Sequence, residues 1–196
     1  MDSYFTIKEQ SSGSYRESGS RFLSFALPIS NEDEVKDLLD RYRKEFHDAT
    51  HVCFACRLAG PPPVSRAHDA GEPKHSAGDP ILNQIRSREL SNVLVIVVRY
   101  FGGTKLGISG LINAYKTAAH SALEKTVVIE QYATDVIVLT FDPSITGEVM
   151  KSLGKYKSWI TEQKFTGSDE IRLSVLLSKS DELKKRLCLL DGVTVK

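Results

Sequence analysis

The chain has 196 residues, 41% of them apolar, and a net charge of +1. That length holds one domain or two small ones, and the composition supports ordinary globular cores. A balanced charge excludes wholesale attraction to nucleic acid and leaves only a local patch for it.

Cys53, Cys56 and Cys188 make an odd, low count. They do not form a disulfide framework, and they fit a reducing compartment. The opening MDSYFTIKEQSSGSYRES has no apolar core of signal-peptide type. No apolar run approaches the ~20 residues of a membrane helix. The expectation is a soluble cytoplasmic protein without a membrane partner.

Residues 1 to 19 are polar and read as a strand or a loose arm at the edge of a first domain. Arg21 to Leu27 reads as a strand, closed by Pro28. Ser30 is placed to cap the next helix, with Asp33 three residues on. Its apolar stripe is Val35, Leu38, Leu39, Tyr42 and Phe46. Acids at its start and bases at its end match the helix dipole. Val52 to Leu58 is the next strand, stopped by Gly60-Pro61-Pro62-Pro63. Residues 60 to 78 read as one long loop, a length usually tied to function or disorder. Asp79 and Pro80 suit the N-cap and N1 positions of a short helix carrying Ile81, Leu82 and Ile85.

Val93 to Phe101 is a continuous aliphatic strand. Gly102, Gly103, Gly107 and Gly110 follow, and a helix runs from Gly110 to Lys125. Leu111, Ile112, Tyr115, Ala118, Ala119, Ala122 and Leu123 lie on one face. Such a junction aims backbone N–H groups and a helix dipole at one spot, which favours an anion. The glycines permit positive φ and close approach. Arg99 and Lys105 bracket the loop.

The pattern changes near Glu130, which divides residues 1–130 from 131–196. Asp135 to Phe141 is a strand, and Asp142-Pro143-Ser144 opens a helix with Ile145, Val149, Met150 and Leu153. Trp159 to Phe165 and Glu170 to Leu177 read as a hairpin around Thr166-Gly167-Ser168-Asp169. Ser180 or Asp181 caps a helix with Leu183, Leu187 and Leu190. Gly192 ends it and Val193 to Val195 closes the sheet. This βαββαβ order is the ferredoxin-like split βαβ.

The glycine stretch resembles the signature of the YigZ/IMPACT family. The resemblance rests on Arg99-Tyr100-Phe101-Gly102-Gly103, Lys105-Leu106-Gly107, Gly110-Leu111 and Ala114-Tyr115. Ser20-Arg21-Phe22 is similar to the family's opening, and Ala49 to Ala55 to its second strand. Asp69-Ala70-Gly71-Glu72-Pro73 and Ser76 to Leu82 are similar to its acidic loop and following helix. The family pattern has a second Asp where this chain has Ala70, and a Gly where it has His75.

The resemblance implies an α+β protein of two domains. The first is a βα sandwich like the second domain of a small-subunit ribosomal protein and domain IV of elongation factor G. The second is ferredoxin-like, as in elongation factor G domain V. Eukaryotic relatives carry an N-terminal RWD domain. No segment ahead of residue 20 is long enough for one, so the likeness is to the bacterial YigZ type. Those eukaryotic relatives modulate translation by binding the activator of an amino-acid-starvation kinase.

Candidate chemistry gathers at two places. Arg99, Gly102, Gly103, Lys105, Gly107 and Gly110 are candidates for holding a phosphate of RNA or of a nucleotide. No Walker or Rossmann spacing accompanies them. Arg99 alternatively pairs with Glu72 or Asp69, and the glycines alternatively serve a tight turn. Asp69, Glu72 and His75 are acidic-loop candidates, for acid–base work or Mg²⁺ or simply for pairing with Arg99 and Lys105. Cys53 and Cys56 sit at an odd offset in one strand, so a zinc site with His47 and His51 is not expected. Tyr15, Tyr100, Phe101 and Tyr115 could stack bases where exposed, but only Tyr15 and Tyr100 are expected near the surface, and Phe101 and Tyr115 in the interior. Lys184, Lys185 and Arg186 read as a solvated helix face. No cofactor and no metal are assigned. The functional expectation is a non-enzymatic binder of RNA, ribosomes or a translation-associated protein. The alternatives are an enzyme acting on a phosphorylated small molecule or nucleotide at the glycine loop and a protein–protein adaptor. The oligomeric state is unassigned.

Overall fold

A computed structural model of the chain describes residues 2–60, 62–166 and 168–196. The chain divides into two compact units. One covers residues 4–131, and the other covers 132–196 together with Asp2 and Ser3.

The first unit is a five-stranded antiparallel sheet with helices on both faces. Its strands are β2 (Ser11–Glu17), β3 (Ser20–Pro28), β4 (His51–Leu58), β5 (Val64–His68) and β6 (Val93–Tyr100), ordered β2-β3-β6-β4-β5. A separate pair joins β1 (Ser3–Ile7) to β7 (Val128–Tyr132). The polar first nineteen residues therefore form β1 and β2, not a single arm. β6 is central, and Val93 to Val98 are fully buried because both of its faces are covered. Val93, Val95 and Val97 join Phe22 and Cys53 under α2 (Gly78–Arg86) and α3 (Gly107–Leu123). Leu94, Ile96 and Val98 join Cys56 under α1 (Glu32–Glu45). The two cysteines of β4 thus lie in different cores, as their odd offset requires.

In this unit three helix starts differ from the sequence reading. Asn31, not Ser30, caps α1. Its side chain accepts from Glu34 N, and Glu34 in turn accepts from Ser30 N at 2.7 Å. This is a reciprocal box shifted by one residue. The helix after the acidic loop starts at Gly78 with no cap from its own side chains. Asp69 supplies the acceptor from a distance, taking the Ala77 and Gly78 N–H groups at 3.0 and 2.8 Å. The helix after the glycine loop starts at Gly107 and not Gly110. The long loop is also interrupted. Val64–His68 forms the edge strand β5, paired with β4 through Phe54 to Leu58. Pro61 lies outside the described residues.

The second unit is β8 (Thr134–Phe141), a 3₁₀ turn at Pro143–Ile145, α4 (Thr146–Leu153), β9 (Ser158–Thr166), β10 (Ser168–Leu176), α5 (Leu177–Leu187) and β11 (Thr194–Val195). The sheet order β11-β8-β10-β9 is that of the ferredoxin-like split βαβ. Alternate residues Ile137, Leu139, Phe141, Ile171, Leu173 and Val175 face α4 and α5, meeting Val149, Leu153, Leu183 and Leu187. The β9–β10 hairpin falls where the sequence placed it, and its turn residue Gly167 lies outside the described residues. Neither Ser180 nor Asp181 caps α5, which already begins at Leu177. Ser180 instead donates its hydroxyl to the Asp135 carboxylate, which Lys184 also contacts at 2.7 Å. Among the described residues no helix is long and apolar enough to cross a membrane.

Candidate functional site

The site is built where β6 ends. Sheet register places Phe22 of β3 and His51 of β4 directly opposite Arg99 of β6. Opposed residues share a sheet face, so all three meet beneath α3. Arg99 is 5% exposed, and its guanidinium stands over the rings of both Phe22 and Phe101, 5.5 Å from each centroid. A buried charge needs a partner. Glu72 provides it, accepting from Arg99 Nη1 at 2.6 Å and from the Tyr115 hydroxyl at 2.7 Å through the same oxygen, Oε1. Arg99 thus pairs with the first of the two acids the sequence offered. Its Nη2 reaches Ser20 Oγ at 3.5 Å, and its Nε is buried with no hydrogen-bond partner.

His51 stands beside this pair. Its Nδ1 lies 2.9 Å from the Ala70 carbonyl, which can only accept, so Nδ1 carries a proton. Nε2 lies 3.8 Å from Glu72 Oε1. Cys53 lies beneath, its sulfur 3.0 Å from the Asp69 carbonyl oxygen and 3.4 Å from the Tyr115 hydroxyl. Burial pushes the Cys53 thiol up to about 12 and raises Tyr115 further above its ordinary value. Both keep their protons at neutral pH, so Cys53 is no nucleophile.

The acidic loop divides its duties. Asp69 Oδ1 caps α2 and Oδ2 accepts from His75 N at 2.9 Å. Burial pushes the Asp69 carboxyl up. The N–H groups of Gly78, His75 and Ala77 outweigh it and hold the group below its usual range. The His75 ring is turned to solvent, its Nδ1 2.6 Å from Asp79 Oδ2. Asp69 and Glu72 therefore do not converge as an acid–base pair, and His75 joins neither. No three His, Cys, Asp or Glu side chains gather for a metal among the described residues.

The glycines also have separate tasks. A Cβ on Gly102 would lie 1.9 Å from the Gly19 carbonyl carbon, so the chain leaving β6 passes directly against the β2–β3 turn. Gly107 opens α3 at φ +69°, a left-handed start that favours glycine. Gly103 has open space around it, and Gly110 packs on Leu106. The first turn of α3 has no side-chain cap and no acidic residue. Its N–H groups lack intrahelical partners.

A pocket of about 320 Å³ is lined by Thr50, His51, Glu72, Pro73, Arg99, Phe101, Lys105, Leu106, Gly107, Ile108 and Leu111; Gly102, Gly103, Gly110, Asp69 and His75 are not among its lining residues. Its volume is at the lower end for ligand sites. Lys105 makes no hydrogen bond or ion pair with any described residue. Arg99, which brackets the glycine loop in sequence with Lys105, lines this pocket together with it. Phe101, expected inside, is 46% exposed because β6 ends at Tyr100 and Phe101 N turns to bond Thr50 Oγ1. The sequence reading weighs His51 for zinc or as a partner of Cys53 and Tyr115 for base stacking, and keeps neither as a candidate for the site. The alternation of His51 with Cys53, and the single helical turn from Leu111 to Tyr115, were the available signals.

The family model of the Impact N-terminal domain matches residues 18–123, which hold every residue of the pocket. The IMPACT family member YvyE of Bacillus subtilis is 30% identical over 175 residues, covering 89% of this chain and 81% of that protein. The chain belongs to the IMPACT family. The IMPACT family member YigZ of Escherichia coli is 35% identical over 109 residues, 54% of this chain and about half (53%) of that protein. A crystal structure of a hypothetical protein, 24% identical, superposes over 100% of this chain and 97% of its own with a TM-score of 0.72, which shows the same fold.

Proposed function

We propose that the chain is a binding protein of the translation apparatus that seats a phosphate of RNA at the start of α3. One observation carries this reading. The uncapped start of α3, the buried Arg99 and Lys105 line a single pocket. Helix dipole, backbone donors and two cations all favour an anion there. Glu72 neutralises much of Arg99, so Lys105 and the helix end carry the balance of the attraction. Family membership supports the link to translation, since eukaryotic relatives act there. Cytoplasmic placement goes with that role.

Co-sedimentation with RNA and with ribosomes across a salt series tests it. Lys105→Ala removes one phosphate contact without touching the buried pair. The slope of log affinity against log salt should then fall by about one. An unchanged slope and affinity would remove the pocket as the RNA site.

A further inference from the structure

The pocket has two chemically different walls. One is the anion seat of Arg99, Lys105 and the start of α3. The other is apolar, formed by Pro73, Phe101, Leu106, Ile108 and Leu111. A bare anion has no use for that second wall. Phe101 is 46% exposed, Ile108 60% and Ile112 39%. Ile108 and Ile112, four residues apart on α3, lie side by side. Large apolar side chains left open beside a polar seat mark a ligand with an apolar part.

The Phe101 ring narrows the class of that part. The Arg99 guanidinium stands over it at 5.5 Å from the centroid. The ring is thus fixed by a buried, paired cation, while nearly half of the residue is open. A fixed, half-open aromatic ring beside a phosphate seat is the arrangement that stacks a nucleic-acid base. The seat does not rest on the helix end alone. The Arg99 side chain is 6% exposed, lines the same pocket and has an Nε without an acceptor.

We infer that the pocket holds a single nucleoside phosphate, its phosphate at the start of α3 and its base on Phe101 against Ile108. The inference rests on the anion reading of the same pocket and adds the ligand class to it. A free mononucleotide and the terminal nucleotide of an RNA chain present this chemistry equally.

Calorimetric titration of the full chain with inorganic phosphate, adenosine 5′-monophosphate and a short RNA with or without a 5′-phosphate tests it. The nucleotide should bind about tenfold tighter than phosphate, the gain of one stacked base. Phe101→Ala should abolish that gain and leave phosphate binding unchanged. Lys105→Ala should weaken both. Equal binding of phosphate and nucleotide, with Phe101→Ala silent, would overturn the base site while the anion seat stands. Binding of neither would overturn both. A preference for the 5′-phosphorylated RNA over the mononucleotide would name the chain end as the source, and the reverse would name the free nucleotide.

Discussion

Both carboxylate oxygens of Asp69 are taken by backbone N–H groups, and this one side chain ties the acidic loop to α2. Its folded-state carboxyl titrates below the ordinary range, and below its unfolded value. It therefore contributes stability that is fully present above about pH 4 and is lost as pH falls through the lowered folded value. Asp69→Asn keeps one acceptor and removes the titration. Urea midpoints of wild type should fall more steeply than those of the variant between about pH 5 and pH 2. Parallel curves would show that the loop does not depend on the charge. At neutral pH the loss should be about 1–2 kcal/mol, the scale of a lost helix cap. At this scale the sequence told part of the story. A carboxylate three residues from another beside an arginine strand end announced an ion pair. Which acid would pair with Arg99 depended on a turn in which Ala70, Gly71 and His75 adopt positive φ, and only the glycine signals it.

The glycine loop is an element whose sequence says that backbones come close without saying which. In the structure Gly102 is pressed on Gly19 and Ser20, while Gly103, at φ +89°, has nothing near its missing Cβ. Alanine at the two positions should separate these demands. At Gly102 the Cβ meets backbone on a fixed hairpin, and the cost should exceed about 3 kcal/mol. At Gly103 only the backbone conformation resists, at about 1–2 kcal/mol. Denaturant midpoints at constant m-value measure both. Equal losses would mean that the hairpin yields. The same contact explains why Phe101 was misjudged. Alternation along β6 continues inward through Val95, Val97 and Arg99, and Phe101 is next in phase. The chain leaves the sheet one residue earlier to cross the β2–β3 turn, a long-range encounter that local periodicity does not encode. The extent of β5 was hidden similarly, since Val64–His68 is an edge strand with mostly exposed side chains and little alternation of burial.

At the scale of the whole molecule, the core of the second unit shares no residue with the two cores of the first. Ile96 and Leu94 belong to the first unit and Leu139 and Leu173 to the second, each fully buried in its own cluster. The fold class was legible because each unit repeats a strong local pattern, a doubly buried run in β6 and strict alternation in β8 and β10. The site was less legible because its members come from β3, β4, the acidic loop, β6 and α3, brought together only by sheet register. A site assembled wholly within one unit should survive damage to the other. Leu139→Ala leaves a cavity in the second core and should cost about 2–5 kcal/mol. Hydrogen exchange should then quicken in β8 and β10 while the amides of β6 and α3 keep their protection. Phosphate binding at the α3 pocket should be unchanged in the same variant. If β6 loses protection in step with β8, the chain unfolds as one cooperative body, and the pocket's rigidity depends on both cores.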